Sequence, residues 1–132
     1  MGSGPKIAHL MLIDDSDIDL FVEQKVVEMA GFASRVSSYI SPAEALDSLQ
    51  KASTSELPDL ILLDLNMPVM DGFALLEAIS QSPNKILEKL RVIILTSSNS
   101  PQDQERAKNY PNVIGFMSKP LTVQSIGGLS LR

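Results

Sequence analysis

The chain has 132 residues and no cysteine. It is long enough for one domain with a packed core, and it can form neither disulfides nor thiolate metal sites. The net charge is −5 without a cluster of Lys or Arg, which argues against nucleic-acid binding, and the apolar runs are too short to span a membrane. We expect residues 1–5 to be a flexible leader or a remnant of cloning, residues 6–132 to form one domain, and the location to be cytoplasmic.

Short apolar runs alternate with helix-like segments from the start of the chain. Residues 7–13 are predicted as a first strand, and a helix capped by Ser16 or Asp17 follows to about residue 30. Its apolar residues recur at helical spacing, namely Ile18, Phe21, Val22, Val26 and Met29. Gly31 stands where a glycine is expected to end a helix.

The second β–α unit contains a clear helix start. Residues 33–39 are predicted as a strand, and the next helix begins with Ser41 as N-cap and Pro42 in the first helical position. This helix runs to about residue 52, and residues 53–55 are predicted as a polar loop.

The remaining predicted elements complete three more β–α units. In chain order they are strand 3 at 60–63, a helix opening at Asp71–Gly72 and broken at 82–84, a further turn within 85–90, strand 4 at 92–95, a helix from Ser100 to about Tyr110, strand 5 at 113–117 and a short last helix ended by Gly127–Gly128.

This alternation predicts an α/β fold with a doubly wound sheet of five parallel strands, because right-handed crossovers place helices on both faces. Strands 1, 3 and 4 are nearly continuous apolar runs, which is typical of strands covered on both sides. Ligands of such sheets bind beyond the carboxyl ends of the strands. The polar residues predicted at those ends are Asp14, Asp15, Asp64, Thr96 and Lys119.

Several of these carboxylates could hold a divalent metal ion. Magnesium prefers oxygen ligands, usually one or two carboxylates with waters and phosphate oxygens. Asp15 and Asp64 could supply them if strands 1 and 3 are neighbours, Asp14 could hold a metal-bound water, and the Asn66 carbonyl could add an oxygen. The alternative for residues 14–17 alone is a helix cap with acids in its first turn.

Asp64 is the candidate nucleophile, because a lone carboxylate after four apolar residues is costly to bury unless it is paired. A carboxylate can attack a phosphoryl group to give an acyl phosphate. Lys119 could then neutralise charge on the phosphoryl oxygens, and the Thr96 hydroxyl could donate a hydrogen bond to one of them. Considered alone, Lys119 could be an ordinary surface lysine, and residues 96–100 could be an ordinary polar loop.

Four motifs together resemble the receiver domain of two-component response regulators. They are Asp14–Asp15, the run from Leu62 to Gly72, Leu95–Thr96–Ser97 and Lys119–Pro120. The resemblance implies a flavodoxin-like (βα)5 fold with strand order 2-1-3-4-5. It implies that Asp64 accepts a phosphoryl group from a sensor histidine kinase or a histidine phosphotransfer protein. Asp14, Asp15, Asp64 and the Asn66 carbonyl would bind Mg²⁺ (or Mn²⁺).

The same resemblance implies a conformational switch. Thr96 would be the switch hydroxyl, Lys119 the phosphate-binding lysine, and the bond between Lys119 and Pro120 cis. Phe116 matches the aromatic residue that rotates when Thr96 moves toward the phosphate, and the responding face would be helix 4, strand 5 and helix 5. The alternative for Phe116 is an ordinary core aromatic.

Other positions qualify the resemblance. Asn66 and Ser98 lie two residues after Asp64 and Thr96, where they would tune the lifetime of the acyl phosphate. The stretch from residue 80 to residue 90 is slightly longer than is common in the family. The chain is similar to single-domain receivers of the Leu-Thr-Ser-Ser type, a motif that ends here at Ser98, and Asn99 adds to that likeness. We expect a stand-alone receiver or an excised module, acting as a monomer or a phosphorylation-dependent dimer.

Three other functions compete with a phosphorylated switch. A phosphatase of the haloacid dehalogenase type needs an acid two residues after its nucleophile, where this chain has Asn66. A nucleotide-binding domain needs a glycine-rich loop after strand 1, where this chain has acids. A degenerate receiver could act only as a docking platform, but every residue needed for the chemistry is present. We therefore expect a signalling switch that promotes only its own phosphorylation and dephosphorylation.

Overall fold

Five parallel strands form one sheet in the order β2-β1-β3-β4-β5. The computed structural model describes residues 4–67, 70–97 and 100–129. The strands are β1 (Ile7–Ile13), β2 (Ala33–Tyr39), β3 (Leu60–Leu63), β4 (Val92–Thr96) and β5 (Val113–Ser118). The α-helices are α1 (Asp17–Ala30), α2 (Pro42–Lys51), α3 (Gly72–Ser80), α4 (Pro101–Ala107) and α5 (Val123–Gly127). The predicted fold class and strand order are confirmed.

Side-chain caps start these helices where the sequence predicts. The Ser41 hydroxyl accepts a hydrogen bond from the Glu44 N–H at 3.3 Å, and the Asp71 carboxylate accepts one from the Ala74 N–H at 2.8 Å. Each cap satisfies a backbone donor that has no partner within its helix. Gly31 ends α1 in the left-handed conformation, with φ 61°.

Two apolar clusters sandwich the sheet, one on each face. On one face Met11, Ile13, Ile61 and Leu63 pack against α2, α3 and α4. On the other, alternate residues of the same strands pack against α1 and α5. Burial on both faces is why these strands are continuous apolar runs. No helix in the described ranges has both the length and the apolar character needed to cross a membrane.

The apolar residues that signalled α1 lie mostly on its outer surface. Ile18, Phe21 and Met29 are 73%, 61% and 76% exposed, whereas Leu20 and Val27 are buried against the sheet. The helix carries apolar residues on both faces, so their spacing identifies a helix without identifying its inner side. The prediction of the helix is confirmed, but the residues at helical spacing do not form its packed face.

Smaller differences lie at the ends of elements. Most of the loop predicted at residues 53–55 is part of a 3-10 helix at Thr54–Glu56. The turn predicted after α3 is a 3-10 helix at Lys85–Lys89. Helix α4 ends at Ala107, earlier than predicted. β4 and β5 each extend one residue further because Thr96 and Ser118 pair across the ladder.

Candidate functional site: an acidic pocket around one lysine

The pairing of β1 with β3 brings three carboxylates together. Ile13 lies opposite Leu63 in this parallel ladder, so the next residues, Asp14 and Asp64, emerge side by side. The Asp64 N–H donates to the Ile13 carbonyl at 3.0 Å. One carboxylate oxygen from each of Asp14, Asp15 and Asp64 lies within 4.8 Å of the other two. The site is at the carboxyl ends of the strands, where the sheet order reverses.

This donor set fits a hard divalent cation. All three groups are carboxylates, Asp14 and Asp64 are buried, and Asp15 is half-buried. A buried carboxylate is costly unless a cation or a hydrogen bond compensates it. The three aspartates could therefore hold a metal ion of the magnesium type, which takes oxygen ligands.

Lys119 supplies a positive charge next to these carboxylates. Its Nζ lies 2.6 Å from Asp14 Oδ2, 2.8 Å from Asp19 Oδ2 and 3.6 Å from Asp64 Oδ2. The end of β5 positions it, since the Lys119 N–H donates to the Thr96 carbonyl at 3.0 Å. The bond between Lys119 and Pro120 is cis, as predicted.

Burial, neighbouring charges and hydrogen bonds shift the pKa values of Lys119 and Asp64 in this pocket. Burial by itself would lower the pKa of Lys119, but its hydrogen bonds to Asp14 and Asp19 and the nearby negative charges raise that pKa above its ordinary value. Burial raises the pKa of Asp64, the charge of Asp14 adds to this effect, and Lys119 and the Asn66 N–H oppose it. The pocket therefore holds more negative charge than Lys119 alone can compensate.

Two further acids, Asp19 and Glu23, face the pocket from the inner side of α1. Asp19 binds Lys119, and Glu23 is buried beside Asp14. Neither residue is among those predicted from the sequence. Their spacing was a usable signal in the sequence. Asp19 and Glu23 are four residues apart and therefore share one face of α1, which begins just after Asp15.

Glu23 is the most perturbed acid of the group. Burial, then the charge of Asp14 and a hydrogen bond with it, raise the pKa of Glu23 to about 8, against the opposing effect of Lys119. Near neutral pH the folded protein therefore favours the protonated form of Glu23, which can donate a hydrogen bond to the Asp14 carboxylate.

We expect Glu23→Gln to stabilise the metal-free protein at pH 8 by about 2 to 4 kcal/mol, with little effect near pH 4. Because the Glu23 pKa is raised, its stabilising contribution is present at low pH. That contribution is lost as pH rises from the ordinary value of 4.5 to about 8. Glutamine does not ionise and avoids this loss. Urea unfolding in chelator across this pH range measures the difference. The exposed Glu44→Gln is the control, and a pH-independent effect of Glu23→Gln would contradict the expectation.

Most of the other predicted residues lie near the Asp64 carboxylate. The Asn66 N–H donates to Asp64 Oδ1 at 3.3 Å, and its side-chain amide donates to the Thr96 hydroxyl at 3.4 Å. Thr96 is buried at the end of β4. Phe116 is half-buried on β5, opposite Ile94, and packs against the apolar cluster. Ser98, like Asn99, Pro68 and Val69, lies outside the described residues.

The whole arrangement matches a known family of domains. The family model for the response regulator receiver domain matches residues 10–127. The chain belongs to this family. The four motifs that predicted the receiver domain from sequence are thus confirmed as a family assignment. Receiver domains are signalling switches of two-component systems.

Solved receiver structures share the fold over nearly the full chain. The two-component response regulator from Cytophaga hutchinsonii is 32% identical, with a TM-score of 0.83 and 92% of each chain covered. The chemotaxis protein CheY4 of Vibrio cholerae is 28% identical, with a TM-score of 0.73 and coverage of 91% of this chain and 92% of CheY4.

Relatives with receiver-like sequences differ in length. The probable methanogenesis regulatory protein FilR2 of Methanothrix harundinacea is 31% identical over 120 residues, covering 89% of this chain and 75% of FilR2. The two-component response regulator ORR1 of rice is 30% identical over 131 residues, covering 96% of this chain. The receiver spans only 55% of ORR1 and 7% of the hybrid signal transduction histidine kinase L of Dictyostelium discoideum.

Proposed function

We propose that this receiver domain accepts a phosphoryl group on Asp64 from the phosphohistidine of a sensor histidine kinase or a histidine phosphotransfer protein. A carboxylate oxygen of Asp64 attacks phosphorus and the phosphorus–nitrogen bond breaks, so that a phosphohistidine protonated on its other ring nitrogen leaves as neutral histidine. The observation that carries this proposal is the position of Asp64. One of its carboxylate oxygens lies within 4.8 Å of oxygens from both Asp14 and Asp15, and the Lys119 ammonium is 3.6 Å away.

The residues around Asp64 have distinct parts in this transfer. Asp14, Asp15, Asp64 and the Asn66 carbonyl would hold Mg²⁺ or Mn²⁺. The ion, when bound, neutralises charge on the phosphoryl oxygens. Lys119 offers an ammonium proton to another phosphoryl oxygen. The low exposure of Asp64 limits attack by water on the acyl phosphate.

Thr96 would connect the chemistry to a change of shape. Its hydroxyl accepts a hydrogen bond from the Asn66 amide, and reorienting toward a phosphoryl oxygen would break this contact. Phe116 is two residues before the ladder partner of Thr96 and on the same side of the sheet. Movement of Thr96 would give its ring room to rotate, and the face of α4, β5 and α5 would respond.

The finer assignments complete the proposal. Asn66 and Ser98 would set the rate of dephosphorylation. Residues 6–132 would form the receiver, which would work in the cytoplasm as a monomer or a phosphorylation-dependent dimer. It would make no direct contact with nucleic acid or membrane. A docking platform without phosphorylation is less well supported, because the acceptor, the acidic pocket and the lysine are all present. A phosphatase is disfavoured by Asn66, which cannot act as an acid.

The proposal is tested by intact mass after incubation with acetyl phosphate and Mg²⁺. We expect one added phosphoryl group on the wild type, no adduct after chelation, and no adduct on Asp64→Asn. This substitution keeps the shape of the side chain while removing the nucleophilic charge. If the acyl phosphate hydrolyses too quickly to be detected, binding of beryllofluoride, which occupies the place of a phosphoryl group, tests the same site. An adduct on Asp64→Asn, or a wild type that binds neither reagent, would refute the assignment.

A further inference from the structure

The Lys119 ammonium is shared among three carboxylates. An ammonium has three protons, and in this pocket two of them are used in short hydrogen bonds, to Asp14 at 2.6 Å and to Asp19 at 2.8 Å. Asp64 is the most distant of its ion-pair partners, at 3.6 Å. The lysine that the acceptor needs is therefore held mainly by two other groups.

Asp14 and Asp19 differ in what else they can do. Asp14 belongs to the cluster that could hold a metal ion, whereas Asp19 lies outside that cluster. The Asp19 side chain is 43% exposed, so water can solvate its carboxylate without Lys119. Among the described residues, Asp19 forms an ion pair with Lys119 and with no other side chain. Asp19 thus contributes a negative charge to this pocket without being part of the metal cluster.

We propose that Asp19 is a positioning residue that competes with the phosphoryl group for Lys119 and so disfavours the phosphorylated state. This inference rests on the proposed function. A phosphoryl group on Asp64 adds negative charge beside the ammonium and needs one of its protons. Asp19 opposes this twice, because its hydrogen bond draws the ammonium toward α1 and because its own charge repels the new anion.

The Asp19→Asn variant separates charge from shape. The asparagine carbonyl can still accept a hydrogen bond from Lys119, and the backbone N–H of residue 19 still donates to the Ser16 hydroxyl that caps α1. The variant therefore keeps the helix start and removes the competing charge. Structural damage would weaken ligand binding at this pocket, so a gain in affinity is a readout that a merely structural role does not produce.

Asp17→Asn is the matched control. Asp17 lies in the same first turn of α1, its side chain is exposed, and it forms no ion pair within the described part of the chain. Its substitution changes the net charge and the interaction with the helix dipole in the same way as Asp19→Asn. The two residues differ in their contact with the pocket, since Asp19 pairs with Lys119 and its charge also acts on Glu23.

The experiment is titration of beryllofluoride at Mg²⁺ concentrations that saturate each protein. We expect Asp19→Asn to bind about two- to fivefold more tightly than the wild type, the range for a partly exposed ion pair, and Asp17→Asn to bind as the wild type does. Equal or weaker binding by Asp19→Asn, or an equal gain in Asp17→Asn, would overturn the inference and leave the proposed function intact. A wild type that does not bind beryllofluoride would overturn both.

Discussion

Replacing Lys119 by methionine will lower the free energy of unfolding of the metal-free protein by about 3 kcal/mol at neutral pH. Methionine keeps the apolar stem of the side chain but leaves the buried carboxylates of Asp14 and Asp64 without their cation. Removing one partner of a buried ion pair is costly because the other charge stays desolvated. The same substitution will also prevent the phosphoryl adduct on Asp64, since the transferred group loses its cationic partner.

Urea unfolding at pH 7 in the presence of chelator measures the loss. We expect Mg²⁺ to restore part of it, because a cation bound by the carboxylates replaces some of the missing charge. Lys108→Met is the control: Lys108 pairs with Glu105 at 3.5 Å on an exposed surface, and such pairs contribute little. A loss in Lys119→Met no larger than in Lys108→Met would show that the carboxylates do not depend on Lys119.

Gly72→Ala is expected to destabilise the protein by about 2 to 3 kcal/mol. A Cβ at this position would lie 2.8 Å from the Asp64 carbonyl oxygen, 2.8 Å from Leu65 Cδ2 and 3.0 Å from Leu65 Cα. Two of these atoms belong to the backbone of Asp64 and Leu65, so relief of the clash displaces this backbone or the start of α3 that packs on it. We therefore also expect slower formation of the phosphoryl adduct in this variant.

Gly127→Ala provides a matched comparison for the same chemical change. A Cβ at Gly127 meets no atom within 4 Å, and this residue lies in α5, where alanine is a better helix former than glycine. Thermal unfolding should show unchanged or slightly increased stability for this control. If both glycine variants retain wild-type stability, the close approach at Gly72 does not constrain the backbone of Asp64 and Leu65.

Local sequence signals explain why most of the fold was predictable. The strand around Leu62 is a continuous apolar run, and caps such as Ser41 and Asp71 are set by hydrogen bonds to residues three positions away. Errors arose where a segment's own sequence is ambiguous. Both faces of α1 carry apolar residues, so only contact with the sheet could decide that Leu20 is buried and Phe21 exposed.

The residues of the candidate site were also predictable from the sequence only in part. The sequence by itself determined the receiver motifs, the candidate acceptor Asp64 and the placement of Lys119 at a strand end. Only the tertiary structure decided that Lys119 is shared with Asp19, 100 residues away, and that Glu23 is buried beside Asp14. A strand or a cap depends on neighbours within a few residues, whereas the partners of a buried charge depend on which elements meet across the pocket.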